Sequence, residues 1–277
     1  MSTPIMDLEI IKLARAYGIK TAIRAGSDEF SYEQLLDQSA ALAFNLLKET
    51  DDLNEARIAF LAPAGFDYTV MQWAIWRAGG VCVPLCLSAA DPELEYTLSN
   101  SESSCVISTT ELSSKVDGLC QRLNIPLMVL GQSEAVSEKQ LPPINTPRRA
   151  MILYTSGTTS KPKGVVSTHA NIQAQIETLV EAWEWQSDDR IPLFLPLHHI
   201  HGIINVLSCA LWMGATVEAF PSFNSDAILR RVEEGAYTVF MAVPTIYVKL
   251  IAALESLTEE DRAPIIKGFA AMRLIVS

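Results

Sequence analysis

Two stretches hold the residue types that can do chemistry. The first, Met151 to Gly164, reads M-I-L-Y-T-S-G-T-T-S-K-P-K-G. Met151 to Tyr154 have the composition of a short buried strand. The run from Thr155 to Gly164 interrupts it before Val165 and Val166 resume the apolar pattern. A strand that breaks into a donor-rich loop is one way to build a phosphate site. Gly157 and Gly164 allow close backbone approach to an anion, and the hydroxyls of Thr155, Ser156, Thr158 and Thr159 add donors. Lys161 and Lys163 supply the charge that a polyphosphate requires. The spacing is not that of the Walker loop, which runs directly into a helix. Here a strand follows the loop, and a helix starts only at Thr168-His169-Ala170-Asn171. The competing reading is a solvated Ser/Thr/Gly loop between two edge strands.

The second stretch is Leu195 to Gly202, L-P-L-H-H-I-H-G, at the end of an expected strand from Ile191 to Leu197. Histidines are metal ligands and proton carriers. On a strand only His199 and His201 would share a face, and no Cys, Asp or Glu stands nearby in sequence to complete a tetrahedral set. No metal is therefore assigned, and a structural role is the other reading of the cluster.

The elements that must position these stretches follow from periodicity. Ser31 with Gln34 forms a capping box for a helix to about Lys48, and Arg57–Leu61 reads as a strand. A helix over Asp67–Ala78 stops at Gly79-Gly80, and a strand follows at Val81–Pro84. Asp91-Pro92 reads as a cap and first-turn proline, with strands at Cys105–Ser108 and Pro126–Leu130 after it. Residues 132–149, rich in Pro, Ser and Glu, read as a surface connection, with possible units at 1–131 and 150–277 on either side. Beyond the loop, Ile172, Ile176, Leu179, Val180 and Trp183 recur at helical spacing. An apolar helix to Met213, a strand at Ala215–Phe220 and a helix capped by Ser225 follow. A strand at Thr238–Ala242, a helix from Val243-Pro244 to about Leu254, and a strand from Leu274 complete the pattern. The expected fold class is α/β, with layered α/β subdomains and largely parallel sheets. Ligands in such folds lie at the carboxyl ends of strands, where both chemical stretches fall.

Composition narrows the function classes. The chain has 277 residues, 49% of them apolar, and a net charge of −11, so a nucleic-acid partner is not expected. Five cysteines without a C-x-x-C pair suit buried thiols in a reducing compartment. Without a basic leader at the start, and with the apolar run from Ile200 to Val217 broken by polar residues and glycines, a cytoplasmic location and no membrane span are expected.

The order Y-T-S-G-T-T-x-K-P-K-G followed by T-H-x-N resembles the signature of the adenylate-forming enzymes: acyl-CoA synthetases, luciferases and the adenylation domains of peptide synthetases. The resemblance extends to G-S-D-E-F-S-Y-E-Q-L from Gly26, W-R-A-G-G-V-C-V-P-L from Trp76 and V-P-T-I-Y-V-K-L from Val243. Within the family, H-H-x-H-G together with M-A-V-P-T-I-Y and R-L-I-V-S looks most like the malonyl-CoA synthetase branch.

That resemblance implies a carboxylate substrate, with ATP, Mg²⁺ and coenzyme A as cofactors. Thr155, Ser156, Gly157, Thr158, Thr159, Lys161, Lys163 and Gly164 would hold the nucleotide, and Thr155, Lys163 and His199 would act in catalysis. His199 matches the family histidine, and His199 and His201 would line the acyl site. Lys249 or Arg273 would meet the second carboxylate of a dicarboxylic acid. Ser160 stands where the family has Gly, at a strain of about 1 kcal/mol if the position needs positive φ. The family pattern continues past Ser277 with G-S-A, a carboxylate-bearing segment and a C-terminal domain. The expectation is thus the N-terminal part of an adenylate-forming enzyme, inactive alone, with uncovered apolar surface and a possible separate chain supplying the rest. An adenylation domain that loads a carrier protein and a non-catalytic nucleotide-binding fragment are the alternatives.

Overall fold

Helix starts set by side-chain caps organise the first part of the chain. In the computed structural model, which describes residues 7–48, 50–131, 140–155 and 161–277, α1 (Glu9–Tyr17) leads into the hairpin β1 (Thr21–Ala25) and β2 (Asp28–Ser31). Ser31 Oγ accepts from the Gln34 amide at 3.1 Å and Gln34 Oε1 accepts from the Ser31 amide at 2.8 Å, starting α2 (Tyr32–Leu47) as expected. Next come β3 (Arg57–Leu61), α3 (Phe66–Arg77), β4 (Val81–Pro84), α4 (Asp91–Asn100), β5 (Cys105–Ser108), α5 (Thr110–Leu123) and β6 (Leu127–Val129). The chain continues as β7 (Arg149–Thr155), β8 (Lys163–Thr168), α6 (His169–Ala182), β9 (Arg190–Leu193), a π-helix (His201–Ser208) and α7 (Cys209–Trp212). It ends with β10 (Thr216–Ala219), α8 (Ser225–Glu233), β11 (Val239–Met241), α9 (Pro244–Glu255), α10 (Glu259–Ala270) and β12 (Leu274–Val276).

One sheet has the order β6-β5-β3-β4-β7-β8 and is parallel except for the antiparallel β7–β8 pair. A second has the order β2-β1-β10-β9, with β1, β10 and β9 parallel. The parallel pair β11–β12 lies beside β9, joined by the Thr238 amide donating to the Arg190 carbonyl at 3.0 Å. Helix α3 is buried on nearly all sides, including Trp73 and Trp76, and fills the layer between the sheets. The sheets cut across the boundary at 132–149: β7 joins β4, and β10 joins β1.

Several local expectations shift. Asp91 is the first helical residue of α4 and Ala90 precedes it as the cap, its amide donating to Glu93 Oε2 at 3.2 Å. Asn224, not Ser225, caps α8, accepting from the Ala227 amide at 2.9 Å. The strand expected to reach Leu197 stops at Leu193, so the histidines are on no strand and the shared face of His199 and His201 does not arise. The apolar helix expected after them opens as a π-helix, in which Ser208 Oγ donates to the Ile203 carbonyl at 2.7 Å.

Candidate functional site

The two strands that flank the loop expected to hold phosphate pair antiparallel. Thr155 at the end of β7 pairs in register with Lys163 at the start of β8, so the hydroxyl end and the cationic end of the loop share one strand spacing. Ser156, Gly157, Thr158, Thr159 and Ser160 lie outside the described residues. The exit of the loop is held from α4. Tyr96 Oη donates to the Pro162 carbonyl at 3.0 Å, and Lys161 Nζ lies 5.4 Å from the centre of the Tyr96 ring. Tyr154 supports this from below, its ring set edge-on to Tyr96 at 6.2 Å and its hydroxyl donating to Asn100 Oδ1 at 2.9 Å. Lys163 is exposed at the edge of the sheet.

Gly164 serves packing. A Cβ there would sit 2.9 Å from Ile152 Cγ2 and 3.2 Å from Tyr154 Cζ, so the residue is small because two side chains of β7 cross it. Gly202 is similar: a Cβ would approach the Pro196 carbonyl oxygen to 2.8 Å. This close approach lets the π-helix pack against the turn that carries the histidines.

The carboxyl ends of both sheets meet at a cavity of about 210 Å³, walled by Ala62, Tyr68, Leu85, Leu195, Phe220 and His198 among others. Its lining is mainly apolar, and Tyr68 Oη is buried at its wall without a hydrogen-bond partner. His198 is half-buried, with its ring 4.1 Å from that of His199. Burial, and then the neighbouring His199, push the His198 imidazole down to about 4, so it is neutral at physiological pH. His199 is exposed, while His201 has a buried Nε2 with no partner and a lowered pKa from burial. Among the described residues no group of three His, Cys, Asp or Glu side chains is placed to hold a metal ion.

The two candidate cations part company. Lys249, exposed on α9, places Nζ 5.9 Å from the Phe223 ring, and Phe223 meets Phe194 of the cavity wall edge-on at 5.3 Å. It stands at the outer side of the cavity. Arg273 sits at the amino-terminal edge of the sheet, where Nε donates to Asp189 Oδ1 at 2.8 Å and Nη1 donates to the Trp183 carbonyl at 2.9 Å. Asp189 is 2% exposed and also accepts from Thr238 Oγ1 at 2.6 Å and the Gln186 amide at 2.7 Å. These donors hold its carboxyl below the usual range against the opposing effect of burial. Arg273 neutralises this buried carboxylate on the edge opposite the cavity, so its guanidinium is engaged away from the cavity lining.

Sequence reasoning missed Tyr96, Tyr68 and Phe223. Tyr96 and Phe223 act through contacts with residues distant in the chain, which no local pattern announces. The described residues place His198 at the cavity, Lys249 outside it behind Phe223, and Thr155 and Lys163 on one strand pair, with no hydrogen bond or ring contact joining these groups among the described residues.

Comparison with known proteins gives a consistent set. The family model described as AMP-binding enzyme matches residues 12–276. The mitochondrial malonate–CoA ligase ACSF3 of Mus musculus is 39% identical over 252 residues, covering 86% of this chain and 43% of the relative. Malonate–CoA ligase of Arabidopsis thaliana is 34% identical, covering 92% of this chain and 48% of the relative. Among solved structures, apo MatB from Rhodopseudomonas palustris superposes with a TM-score of 0.78 at 26% identity, over 94% of this chain and 54% of that one. A malonyl-CoA ligase with methylmalonyl-CoA and AMP bound gives 0.80 at 25% identity, over 98% and 55%. The chain thus spans about half the length of the relatives it matches. No helix among the described residues is long and apolar enough to cross a membrane.

Proposed function

The chain belongs to the AMP-binding enzyme family, and on that premise we propose that it forms the nucleotide- and acid-binding part of an ATP-dependent acid–thiol ligase for malonate or a related short carboxylic acid. The pairing of Thr155 with Lys163 carries this reading, since it delivers hydroxyl donors and cations to the carboxyl edge of the sheet together. In the first step a carboxylate oxygen attacks the α-phosphorus of ATP and pyrophosphate departs, leaving an acyl adenylate. In the second, the thiolate of coenzyme A attacks the acyl carbon and AMP leaves.

The protein's part is positioning and charge stabilisation. Thr155, Ser156, Gly157, Thr158, Thr159 and Lys161 hold the phosphates, while Lys163 faces the charge that builds on departing pyrophosphate. Mg²⁺ would enter with the nucleotide beside the Thr155 hydroxyl and would neutralise phosphate charge there. The 210 Å³ apolar cavity suits a short acid. His199 and His201 border the acyl group, and Lys249 is the cation available to a second carboxylate. A cytoplasmic location, and a further segment or chain that completes the two-step reaction, belong to the same reading.

The test is carboxylate-dependent ATP–pyrophosphate exchange by the 277-residue chain, with malonate, acetate, a medium-chain acid and an aromatic acid. Malonate-dependent exchange that Lys163→Ala abolishes supports the full reading and makes the chain sufficient for adenylation. ATP binding weakened about tenfold by Lys163→Ala, without exchange, supports a nucleotide-binding part that needs its complement. Absence of both rejects the proposal.

A further inference from the structure

The cavity proposed for the acid has no cation on its wall. Neither Lys nor Arg is among the described residues that line it, and the imidazole there, that of His198, is neutral. A monocarboxylic acid can meet such a wall with an apolar tail. A dicarboxylic acid would bring a second carboxylate against the same apolar surface, and a charge buried without a partner is costly. Discrimination between these two classes of acid therefore turns on whether a cation can reach the wall.

Lys249 is the cation nearest to doing so, and Phe223 stands in its way. The Lys249 ammonium lies 5.9 Å from the centre of the Phe223 ring, and the side chain makes no hydrogen bond or ion pair with another described residue. The same ring meets Phe194, a wall residue, edge-on at 5.3 Å. One aromatic side chain thus touches the cation on its outer side and the wall on its inner side. Phe223 is half-buried and fixed from both directions along the chain. Phe220, Pro221 and Ser222 before it line the cavity, and Asn224 after it caps α8 by accepting from the Ala227 amide at 2.9 Å. Phe194 is itself backed by Phe240 at 5.7 Å, and Phe240 meets Phe269 edge-on at 5.4 Å, so the wall that Phe223 abuts is a packed aromatic layer. Attraction between ammonium and ring keeps Lys249 at the outer side of that layer.

Given the ligase reading of this cavity, we propose that Phe223 is its specificity-determining residue. The ring governs the access of the Lys249 ammonium to the wall, and with that access the preference between an acid with an apolar tail and an acid with a second carboxylate. With the ring removed, the flexible stem of Lys249 can carry the ammonium inward to form a charge-assisted hydrogen bond with that carboxylate. Phe223 touches no reacting atom; it acts through the position of Lys249.

The experiment is calorimetric titration of the whole chain with propionate and with malonate, read as the ratio of the two affinities. Phe223→Ala should move that ratio toward malonate by about tenfold or more, the worth of a charge-assisted bond. Phe223→Tyr, which keeps the ring, should leave it near the parent value, and Lys249→Met added to Phe223→Ala should bring it back. Thermal unfolding of each variant shows that the fold is kept, and Phe223→Leu, with a several-fold shift expected, takes the place of Phe223→Ala should that chain unfold. An unmoved ratio in a folded variant without the ring overturns this proposal alone and leaves the acid site standing. An equal shift with and without Lys249 also overturns it, by making cavity size the determinant. Failure of the parent to bind either acid overturns it together with the acid-binding reading on which it rests, while ATP binding that Lys163→Ala weakens would still mark the nucleotide loop.

Discussion

Tyr96 on α4 donates to the Pro162 carbonyl at 3.0 Å, while its ring faces the ammonium of Lys161. One side chain therefore holds both the backbone and the first cation of the loop exit, from an element 66 residues earlier in the chain. Tyr96→Phe removes the bond and keeps the ring, and Tyr96→Leu removes both. With about 0.5–1.5 kcal/mol for the bond and a further 0.5–1 kcal/mol for the ring contact, ATP affinity should fall several-fold and then further. Calorimetric titration of the three chains checks this. A Tyr96→Leu chain that binds ATP like the parent removes Tyr96 from any role in positioning the loop.

Gly164→Ala should destabilise by about 1–3 kcal/mol, because the new methyl meets Ile152 and Tyr154 at sub-contact distances. Displacement of Tyr154 also releases its bond to Asn100. Val165→Ala, at an exposed neighbouring position, serves as the comparison and should stay within about 0.5 kcal/mol. Chemical denaturation of both variants gives the answer, with equal midpoints counting against the packing role.

Arg273→Leu leaves the Asp189 carboxylate buried without its cation and should cost about 3–5 kcal/mol. At temperatures where the variant remains folded, ATP and carboxylate affinities should match those of the parent. A selective loss of malonate binding in a stable Arg273 variant would return the residue to the substrate site.

His169 is 5% exposed, with its ring edge-on to Trp76 at 5.6 Å, and burial followed by Arg148 pushes its imidazole down to about 4, Glu55 opposing. The unfolded chain takes up a proton near pH 6.5 that the folded chain refuses until about pH 4. Between those values the unfolded state binds more protons, so stability falls as pH falls, by on the order of 3 kcal/mol over the window from this residue. His169→Phe, which keeps a ring against Trp76, should flatten the slope of unfolding free energy between pH 6.5 and pH 4. An unchanged slope would assign the acid sensitivity elsewhere.

What the sequence discloses about this molecule is local. The reciprocal bonds of Ser31 with Gln34, and the helix start at Thr168 with Asn171, lie within three residues and were legible as written. The caps at Ala90 and Asn224 were displaced by one residue because Asp91 and Ser225 are equally acceptable first-turn residues. The π-helix over His201–Ser208 has apolar content indistinguishable from that of an α-helix, so its wider turn leaves no mark in the residue pattern. The role of Arg273 depends on Asp189, 84 residues away, and that of Tyr96 on Pro162. Such partners are chosen by topology, which only the assembled sheets display.

The parallel pairing of β1 with β10 has a consequence for the order of events on the ribosome. Thr216 Oγ1 donates to the Thr21 carbonyl across 195 residues of chain, and Ile23 lies opposite Val217 in the ladder. The β1–β2 hairpin thus waits, with one edge unpaired, until β10 has been translated. The six-stranded sheet draws on residues 57–168 alone and is complete well before that. Nascent chains stalled after β8 should already protect the amides of β3–β5 from exchange while those of β1 remain open, leaving the β1–β2 ribbon as the surface that chaperones meet first.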